Sequence, residues 1–407
     1  MKIELAKRLD GIGEYYFSKK LTEIGELNKS GETVINLGIG SPDLPPHPSV
    51  VETLATEAAK PNVHAYQSYK GAEALRNAFA GWYMKWYAVE LNPATEILPL
   101  IGSKEGIMHI CMTYLNEGDE VLIPNPGYPT YRSAVQLAGG KCVEYELKEE
   151  NDWLIDFEQL QKIVESRKSE ASKQMVSPGR DRKGAIKLMW VNYPQMPTGK
   201  LPTKELFENI VAFGKKNNIL ICHDNPYSFI LNDNPISLLS VDGAKDVVIE
   251  LNSLSKSHNM AGWRVGVLCG GKERVDEVLR FKSNMDSGMF LPAQLAAAKA
   301  LTLGKDWYEE VNKVYKCRRQ KAYELLDLLG CNYSTQQAGM FLWARIPAKY
   351  KDSYELSDEV LYRSRVFITP GGIFGSAGEK FLRVSLCSPE NKFEQSIDRI
   401  NNKKKIR

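Results

Sequence analysis

The fold is decided by residues 253–266, which read SLSKSHNMAGWRVG. Ser253 and Ser255 precede Lys256, and Arg264 follows eight residues later. A lysine that acts as a nucleophile must lose its proton near neutral pH, which partial desolvation and nearby positive charge favour. Serine hydroxyls and an arginine fork suit a phosphate dianion. The segment therefore predicts a Schiff-base lysine beside a phosphate group, and this combination points to pyridoxal 5′-phosphate (PLP).

Short apolar stretches alternate with helical patterns on the N-terminal side of this segment and continue just beyond it. We predict strands at Thr33–Leu37, Ile97–Ile101, Glu120–Ile123, Lys141–Leu147, Ile186–Val191, Ile219–His223, Val247–Glu250 and Val265–Cys269, and helices at Ala72–Tyr87 and Lys204–Lys216. This alternation is typical of an α/β fold whose mostly parallel sheet is covered by helices on both faces. Because ligands bind beyond the carboxyl ends of such strands, we expect the site to be built from the turns that follow them.

The pattern changes after about residue 292. A long helical stretch covers Ala293–Leu329 with a break near Gly304. Three strand-like segments follow, GMFLWARIP from residue 339, RVFITPGG from residue 365 and KFLRVSL from residue 380. This part of the chain is predicted to form a smaller α+β domain.

Two segments near the surface are predicted separately. Leu5, Leu9, Ile12 and Tyr16 recur at helical spacing, so the first 20 residues are expected to form an amphipathic helix, either an arm on a partner or a surface helix of the same chain. Residues 165–184 are polar and basic and contain Pro-Gly, which predicts a solvated and mobile surface insertion.

Composition excludes several classes of protein. The chain has 407 residues, with 53 Lys+Arg and 50 Asp+Glu, so its formal charge is 53 − 50 = +3. This balance argues against a nucleic-acid binder, and no apolar run is long enough to cross a membrane. The seven cysteines include no C-x-x-C pair, so neither a disulfide framework nor a metal site is predicted. The N-terminus lacks the apolar region of a signal peptide, and we predict a cytoplasmic protein.

The lysine segment resembles the lysine motif of the class I/II aminotransferases, which are PLP enzymes of fold type I in the aspartate aminotransferase superfamily. The resemblance continues in the family's order from INLGIGSPDLP at residue 35 to FLRVSL at residue 381. It implies a large domain with a mostly parallel seven-stranded sheet sandwiched by helices, together with a smaller α+β domain. The implied division is an N-terminal arm and part of the small domain at 1–45, the large PLP-binding domain at 46–291 and the small C-terminal domain at 292–407.

The resemblance implies three catalytic residues. Lys256 would hold PLP as a Schiff base and move the proton between the substrate Cα and the cofactor C4′. Asp224 ends the predicted strand in ILICHDNPY and would pair with the pyridine nitrogen, which keeps the ring an electron acceptor. Tyr227 would donate a hydrogen bond to the cofactor O3′. Without the motif, Asp224 would be interpreted as a helix cap or turn residue.

The remaining cofactor-binding residues are also implied by the resemblance. A helix start after strand ILPLI offers backbone N–H groups to an anion. With the lysine segment, it would bind the phosphate through Gly102, Ser103, Lys104, Ser253, Ser255 and Arg264. Tyr128 in PNPGYPTY would stack on the pyridine ring, although a tyrosine of the core is the alternative.

A dimer with shared active sites is a further implication. Tyr66 in AYQSYKG resembles the family tyrosine that reaches the phosphate of the neighbouring subunit, and Tyr69 is the competing candidate. On the substrate side, Arg383 in FLRVSL would clamp the α-carboxylate, and Gly40 in LGIGSP would provide a backbone contact.

One position departs from the family pattern. Where the family commonly has Asn before Pro-Thr-Gly, this chain reads NYPQMPTG with Met196. A thioether is a weak acceptor and no donor, so one hydrogen bond to O3′ would be missing. We expect a raised pKa of the Schiff base unless Asn192, Gln195 or water compensates.

The predicted function is a PLP-dependent aminotransferase that moves an amino group from an amino acid to a 2-oxo acid by a ping-pong mechanism. The alternatives are a C–S β-lyase or an eliminase similar to aminocyclopropane-carboxylate synthase, and a non-catalytic ligand-sensing module. The sequence does not identify the amino donor. Arg280 and Lys282 are the nearest basic candidates for a distal carboxylate, and they match no family position clearly.

Overall fold

The computed structural model describes residues 3–13, 16–29, 31, 33–173 and 186–404. The strands are, in chain order, β1 (Ile35–Asn36), β2 (Ile97–Leu100), β3 (Glu120–Asn125), β4 (Lys141–Glu146), β5 (Ile186–Val191), β6 (Leu220–Asp224), β7 (Val248–Ser253), β8 (Gly266–Gly270), β9 (Asn332–Tyr333), β10 (Phe341–Arg345), β11 (Val366–Phe367), β12 (Thr369–Pro370) and β13 (Phe381–Ser385). The α-helices are α1 (Tyr16–Lys29), α2 (Pro48–Ala58), α3 (Glu73–Tyr87), α4 (Ser103–Tyr114), α5 (Pro129–Leu137), α6 (Phe157–Lys173), α7 (Lys204–Asn217), α8 (Leu254–Ser257), α9 (Lys272–Lys282), α10 (Leu291–Leu301), α11 (Lys305–Leu329), α12 (Ser353–Ser364) and α13 (Glu390–Lys404).

A seven-stranded sheet forms the centre of the fold, in the order β2-β8-β7-β6-β5-β3-β4. The pairs from β4 to β7 are parallel, and β8 runs antiparallel to both of its neighbours. Strands β3, β7 and β8 are buried along their whole length, as expected for a sheet covered on both faces. The predicted α/β fold is confirmed.

The C-terminal part of the chain forms a second sheet, β12-β13-β10-β9, which is antiparallel. Strand β1 pairs in parallel with β11, so the segment before the large sheet lies against the C-terminal part. The predicted helical stretch after residue 292 is present as α10 and α11, with the break at Gly304. The domain boundaries at residues 45 and 291 remain predictions.

The N-terminal helix was predicted too early in the chain. Residues 3–13 contain a single 3₁₀ turn, at Lys7–Leu9, and α1 begins at Tyr16. Gly11 and Gly13 lie between the two, and Gly11 has a φ of +78°, which a continuous α-helix does not allow. Leu5 is 77% exposed, so it is not buried against the described part of the chain.

The predicted insertion at 165–184 is also partly wrong. Its residues up to Lys173 continue helix α6, and the rest lie outside the described residues. Residues 165–173 read ESRKSEASK, and their Glu, Arg, Lys and Ala residues have good helix propensity, which outweighs the polar composition. No helix in the described part of the chain is long and apolar enough to cross a membrane.

A buried ionic group joins the sheet to its covering helices. Glu250 of β7 is fully buried and accepts hydrogen bonds from the Tyr83 hydroxyl at 2.9 Å and the Ser237 hydroxyl at 2.8 Å. His223 of β6 faces it, with Nδ1 2.8 Å from a Glu250 oxygen. The other ring nitrogen of His223 lies 2.9 Å from the Tyr193 carbonyl, an arrangement that suits a doubly protonated ring.

We expect Glu250→Ala to lower the free energy of unfolding by about 3–5 kcal/mol, because it leaves buried donors without their acceptor. Urea denaturation followed by circular dichroism measures the change. Glu208→Ala on helix α7, where Glu208 pairs with Lys204 at the surface, is the matched control and should change the value by less than about 0.5 kcal/mol. Equal effects of the two variants would contradict the assigned role of Glu250.

Candidate active site

A cavity of about 790 Å³ opens beyond the carboxyl ends of β6 and β7, where the first residues of α4 also lie. Its position agrees with the rule for parallel sheets. Its wall contains residues that are far apart in sequence. The lining residues used below are Phe17, Leu21, Ile39, Gly40, Ser103, Lys104, Tyr128, Tyr131, Asn192, Met196, Asp224, Tyr227, Ser253, Ser255, Lys256, Arg264, Phe341 and Arg383.

Lys256 projects into this cavity from the short helix α8. Its Nζ donates a hydrogen bond to the Gly40 carbonyl oxygen at 2.6 Å. Burial lowers the pKa of the Lys256 amine; the Cys387 thiol opposes this shift, and the positive charges of Arg383 and Arg264 add to it. The site therefore favours the neutral amine, which is the nucleophilic form.

Asp224 ends strand β6 and is buried at the cavity wall. Its main-chain carbonyl accepts from Asn192 Nδ2 at 2.6 Å, and its Oδ2 accepts from the Tyr131 hydroxyl at 2.8 Å. Within the described residues Oδ1 is buried and has no hydrogen-bond partner. Burial raises the pKa of Asp224 to about 6, whereas the Tyr131 hydrogen bond and the charge of His223 act in the opposite direction.

The turn before α4 approaches Arg264 closely. Gly102 has a φ of +83°, and a Cβ at this position would overlap the Arg264 guanidinium. A Cβ on Gly266 would lie 2.6 Å from the Ser103 nitrogen, so two glycines keep this helix start open. The Arg264 Nη1 donates to the Ala261 carbonyl at 2.9 Å, which fixes the side chain at the turn. The N–H groups at the helix start and this guanidinium together form a cradle for an anion.

The two serines of the lysine segment lie beside each other. Ser253 is the N-cap of α8, where its Oγ accepts from the Ser255 nitrogen at 3.1 Å. The two hydroxyl oxygens are 2.8 Å apart. Both residues are buried and line the cavity with Lys256 and Arg264.

Aromatic rings form another part of the wall. Tyr128 is the N-cap residue of α5, and burial raises the pKa of its hydroxyl. Tyr227 follows β6, and its ring centroid lies 5.8 Å from that of Phe341 in an edge-to-face contact. Burial also raises the pKa of Tyr227, so its hydroxyl is a donor near neutral pH.

Arg383 lies on strand β13 and is almost fully buried. Its guanidinium donates to the Gly38 carbonyl at 2.8 Å and stands 3.9 Å from the Phe341 ring centroid and 4.7 Å from that of Phe374. Stacking on aromatic faces fixes the plane of the guanidinium in a weakly hydrated environment. Such a fork is suited to a planar carboxylate.

Met196 lies within the same wall, with its Sδ 3.4 Å from Arg383 Nη1. Asn192 and Gln195 are the nearby side chains that could replace the hydrogen bond of the missing asparagine, but both make other hydrogen bonds. Asn192 donates to the Asp224 carbonyl and accepts from the Met196 nitrogen at 2.8 Å. Gln195 donates to the Pro126 carbonyl at 2.9 Å and accepts from Thr198.

Some predicted residues lie outside the cavity wall. Tyr66 is 91% exposed and does not line the cavity. Lys282 is buried and pairs with Asp286 at 2.8 Å, and neither it nor Arg280 lines the cavity. Gly102 does not line the cavity, but its lack of a side chain leaves the space that the Arg264 guanidinium occupies.

The sequence analysis missed Tyr131 and the apolar side chains Phe17 and Phe341. Tyr131 was detectable, because it follows Tyr128 by three residues in PGYPTY and a helix start brings such residues to one side. Phe17 and Phe341 carry no local signal, since they reach the cavity only through packing of distant segments.

One group of potential metal ligands lies apart from the lining. Glu105, His109 and Asp286 offer atoms within 4.8 Å of one another, and His109 Nε2 is 3.1 Å from a Glu105 oxygen. The buried Lys282 ammonium already provides a cation beside Asp286. The prediction that the protein needs no metal remains a prediction.

Comparison with known proteins extends this description. The family model for aminotransferase class I and II matches residues 32–400. The LL-diaminopimelate aminotransferase of Dehalococcoides mccartyi strain BAV1 is 38% identical over 405 residues, which cover 99% of this chain and 100% of the relative.

Solved structures agree with this relationship. The substrate-bound BacF structure from Bacillus subtilis superimposes with a TM-score of 0.89 at 33% identity, covering 99% of this chain and 98% of that one. A Thermus thermophilus aspartate aminotransferase mutant shares the fold with a TM-score of 0.87 at 23% identity, covering 99% and 100% of the two chains. The match of the family model across nearly the whole sequence, together with these relatives, shows that the chain belongs to the class I and II aminotransferases.

Proposed function

We propose that this aminotransferase binds PLP in the cavity and transfers an amino group from an amino acid to a 2-oxo acid by a ping-pong mechanism centred on Lys256. The observation that carries the proposal is the convergence of three features on one cavity. They are an amine with a lowered pKa, a buried carboxylate with an open oxygen, and a glycine-lined anion cradle. When bound, PLP acts as an electron sink for the carbanion formed at the substrate Cα. The comparisons give no support to an eliminase or a ligand-sensing module.

Lys256 would form the covalent link and then act as general base and acid. Desolvation and two nearby guanidinium groups lower the pKa of its amine, which favours the form that accepts a proton. The 2.6 Å hydrogen bond to the Gly40 carbonyl holds Nζ in the cavity. The same amine would then move the proton between the substrate Cα and the cofactor C4′.

Three side chains would bind the ring. Asp224 Oδ1 is the acceptor for the pyridine N–H, because a buried oxygen without a partner is stabilised by a charged donor. Tyr227, which lines the same cavity, would donate to O3′. Tyr128 would stack on the ring face, which contributes about 0.5–1.5 kcal/mol beyond its burial.

The phosphate would occupy the cradle at the start of α4. Gly102 and Ser103 offer backbone N–H groups, and Lys104 would contribute mainly through its backbone. The hydroxyls of Ser253 and Ser255 and the Arg264 guanidinium would complete the binding. An alanine in place of Gly102 would fill the space that this arrangement needs.

Arg383 would bind the substrate α-carboxylate, with Gly40 on the opposite side. The aromatic rings around the guanidinium exclude water, so the ion pair with the substrate would be stronger than one at the surface. Because the relative from D. mccartyi is named an LL-diaminopimelate aminotransferase, that amino acid is the first donor to assay, with 2-oxoglutarate as acceptor. A cytoplasmic location remains a prediction.

Borohydride reduction tests the position of the link. We expect the purified chain, incubated with PLP and then reduced, to carry a phosphopyridoxyl group on Lys256 in a peptide mass map. Lys256→Ala should lose this modification and at least about 10³-fold in transamination, since both nucleophile and proton carrier are removed. Lys272→Ala, which removes an exposed lysine of α9 that pairs with Asp276, is the control. Modification of another lysine in the wild-type chain would contradict the proposal.

Met196→Asn tests the consequence of the departure from the family pattern. Asn192 and Gln195 have both ends of their amides engaged, so an asparagine at 196 would add a donor that the site lacks. We expect the pKa of the Lys256–cofactor link to fall by about one unit, the value of one hydrogen bond to a charged group. A spectroscopic pH titration of the reconstituted variant measures it. Met196→Leu should leave the pKa as in the wild type, and an unchanged pKa in Met196→Asn would refute the expectation.

A homodimer with shared sites is part of the proposal. Tyr66, Tyr69, Met285 and Phe290 are large side chains that are between 44% and 91% exposed. They lie on two segments in mutual contact, because Phe290 stacks on His64 at 5.9 Å and a Cβ on Gly288 would be 2.7 Å from the Gln67 carbonyl oxygen. Exposed apolar groups gathered in this way are typical of a protein interface.

We expect the wild-type chain to sediment as a dimer and the double variant Met285→Glu/Phe290→Glu to be monomeric. Tyr66→Phe should remain dimeric but bind PLP about 2- to 10-fold more weakly, because one hydrogen bond to the phosphate is lost. Tyr69→Phe is its matched control and should bind as the wild type does. Analytical ultracentrifugation and fluorescence titration give the two readouts, and a monomeric wild type would contradict the shared site.

A further inference from the structure

We infer that Tyr131 is a positioning residue that holds the Asp224 carboxylate with its open oxygen toward the ring nitrogen of bound PLP. The inference rests on the proposed function and adds to it a residue that the family motif did not indicate. Tyr131 lies on α5, one helical turn after Tyr128. It contacts both Tyr128, which is proposed to stack on the ring face, and Asp224, which is proposed to bind the ring nitrogen.

The orientation of Tyr131 is fixed by its packing. The side chain is 1% exposed, and its ring stacks on Trp190 with centroids 5.0 Å apart and an interplanar angle of 6°. Tyr128 contacts the same ring edge-to-face at 5.6 Å. A ring held on two sides keeps its hydroxyl at one position, so the hydrogen bond to Asp224 Oδ2 has a defined direction.

The two oxygens of Asp224 differ because of this contact. Oδ2 accepts from Tyr131 at 2.8 Å, whereas Oδ1 is buried without a partner among the described residues. Asn192 fixes the main chain of the same residue. With the backbone and one oxygen held, the carboxylate cannot rotate freely, and Oδ1 remains available to a donor in the cavity.

Several ionisable groups act on Asp224. Tyr131 lies on α5, and Tyr128 is the N-cap of that helix. His223 precedes Asp224 in β6 and faces Glu250. Tyr227 follows the strand. Burial raises the pKa of Asp224 to about 6, and Tyr131 and His223 lower it from the value that burial alone would give. Removing the hydroxyl therefore raises this pKa further. A protonated carboxyl group does not keep the pyridine nitrogen protonated, so cofactor affinity should decrease on acidification at a higher pH than in the wild type.

Tyr131→Phe is the decisive variant, because it keeps the stacked ring and removes only the hydroxyl. We expect about tenfold weaker PLP binding at pH 7 and a shift of the acidic midpoint of the affinity profile to higher pH. PLP fluorescence titrations between pH 5 and 8 measure both quantities. Titration of the phosphate group itself is common to the variant and the wild type, so it cancels in the comparison. Tyr145→Phe, in which a buried tyrosine loses its bond to the Trp190 carbonyl, is the matched control.

A cofactor analogue separates positioning from simple stability. With 1-deaza-PLP, which lacks the ring nitrogen, the wild type and Tyr131→Phe should bind with equal affinity, and adding Tyr131→Phe to Asp224→Asn should cause no further loss with PLP. An equal loss with both cofactors, or an unshifted midpoint while PLP still binds, overturns the inference and leaves the proposed function standing. A wild-type chain that does not bind PLP at all overturns the proposed function as well.

Discussion

The site depends on a carboxylate that is buried at the end of a central strand and only half satisfied. Asp224 closes β6, where burial opposes its ionisation and one oxygen has no hydrogen-bond partner among the residues that the structure describes. An isolated buried charge is unfavourable in a folded protein, and the favourable solution here is a cationic ligand at that oxygen. The chain thus keeps a buried, destabilising carboxylate at the position where a protonated ring nitrogen would stabilise that carboxylate. The other groups of the cavity are arranged around this point.

The parallel sheet explains how distant residues reach one cavity. Strands β6 and β7 end side by side, so Asp224 and the segment around Lys256 are brought together although 32 residues separate them. The start of α4 reaches the same edge because β2 pairs with β8, the strand that follows Arg264. The N-terminal segment with Gly40 and the strand with Arg383 then close the cavity from the other side, joined by the bond from Arg383 to Gly38. Positive charge is therefore concentrated by a few local groups, and the near-neutral chain contributes little field of its own.

Much of this arrangement was predictable from the sequence, for identifiable reasons. Strands β2, β3, β7 and β8 are fully buried, so their apolar pattern is strong, and the motif around Lys256 restricts many positions at once. The N-terminal helix was predicted too early because the apolar spacing continues across Gly11 and Gly13. The positive φ of Gly11 does not allow a helix to continue there. Helix α6 extends into the predicted insertion because local helix propensity is independent of hydrophobicity. The bond from Tyr131 to Asp224 and the contact of Phe341 with Arg383 depend on side-chain packing across elements, and no local pattern records these contacts.

The central claim is that the cavity carries out transamination, and a single half-reaction tests it most directly. The PLP-loaded chain is mixed with one amino acid in the absence of any 2-oxo acid, and cofactor absorbance, keto acid and ammonia are measured together. The account predicts one equivalent each of pyridoxamine phosphate and 2-oxo acid per site, with no ammonia. Continuous release of ammonia, or no conversion of the cofactor with any amino acid of a broad panel, would contradict it.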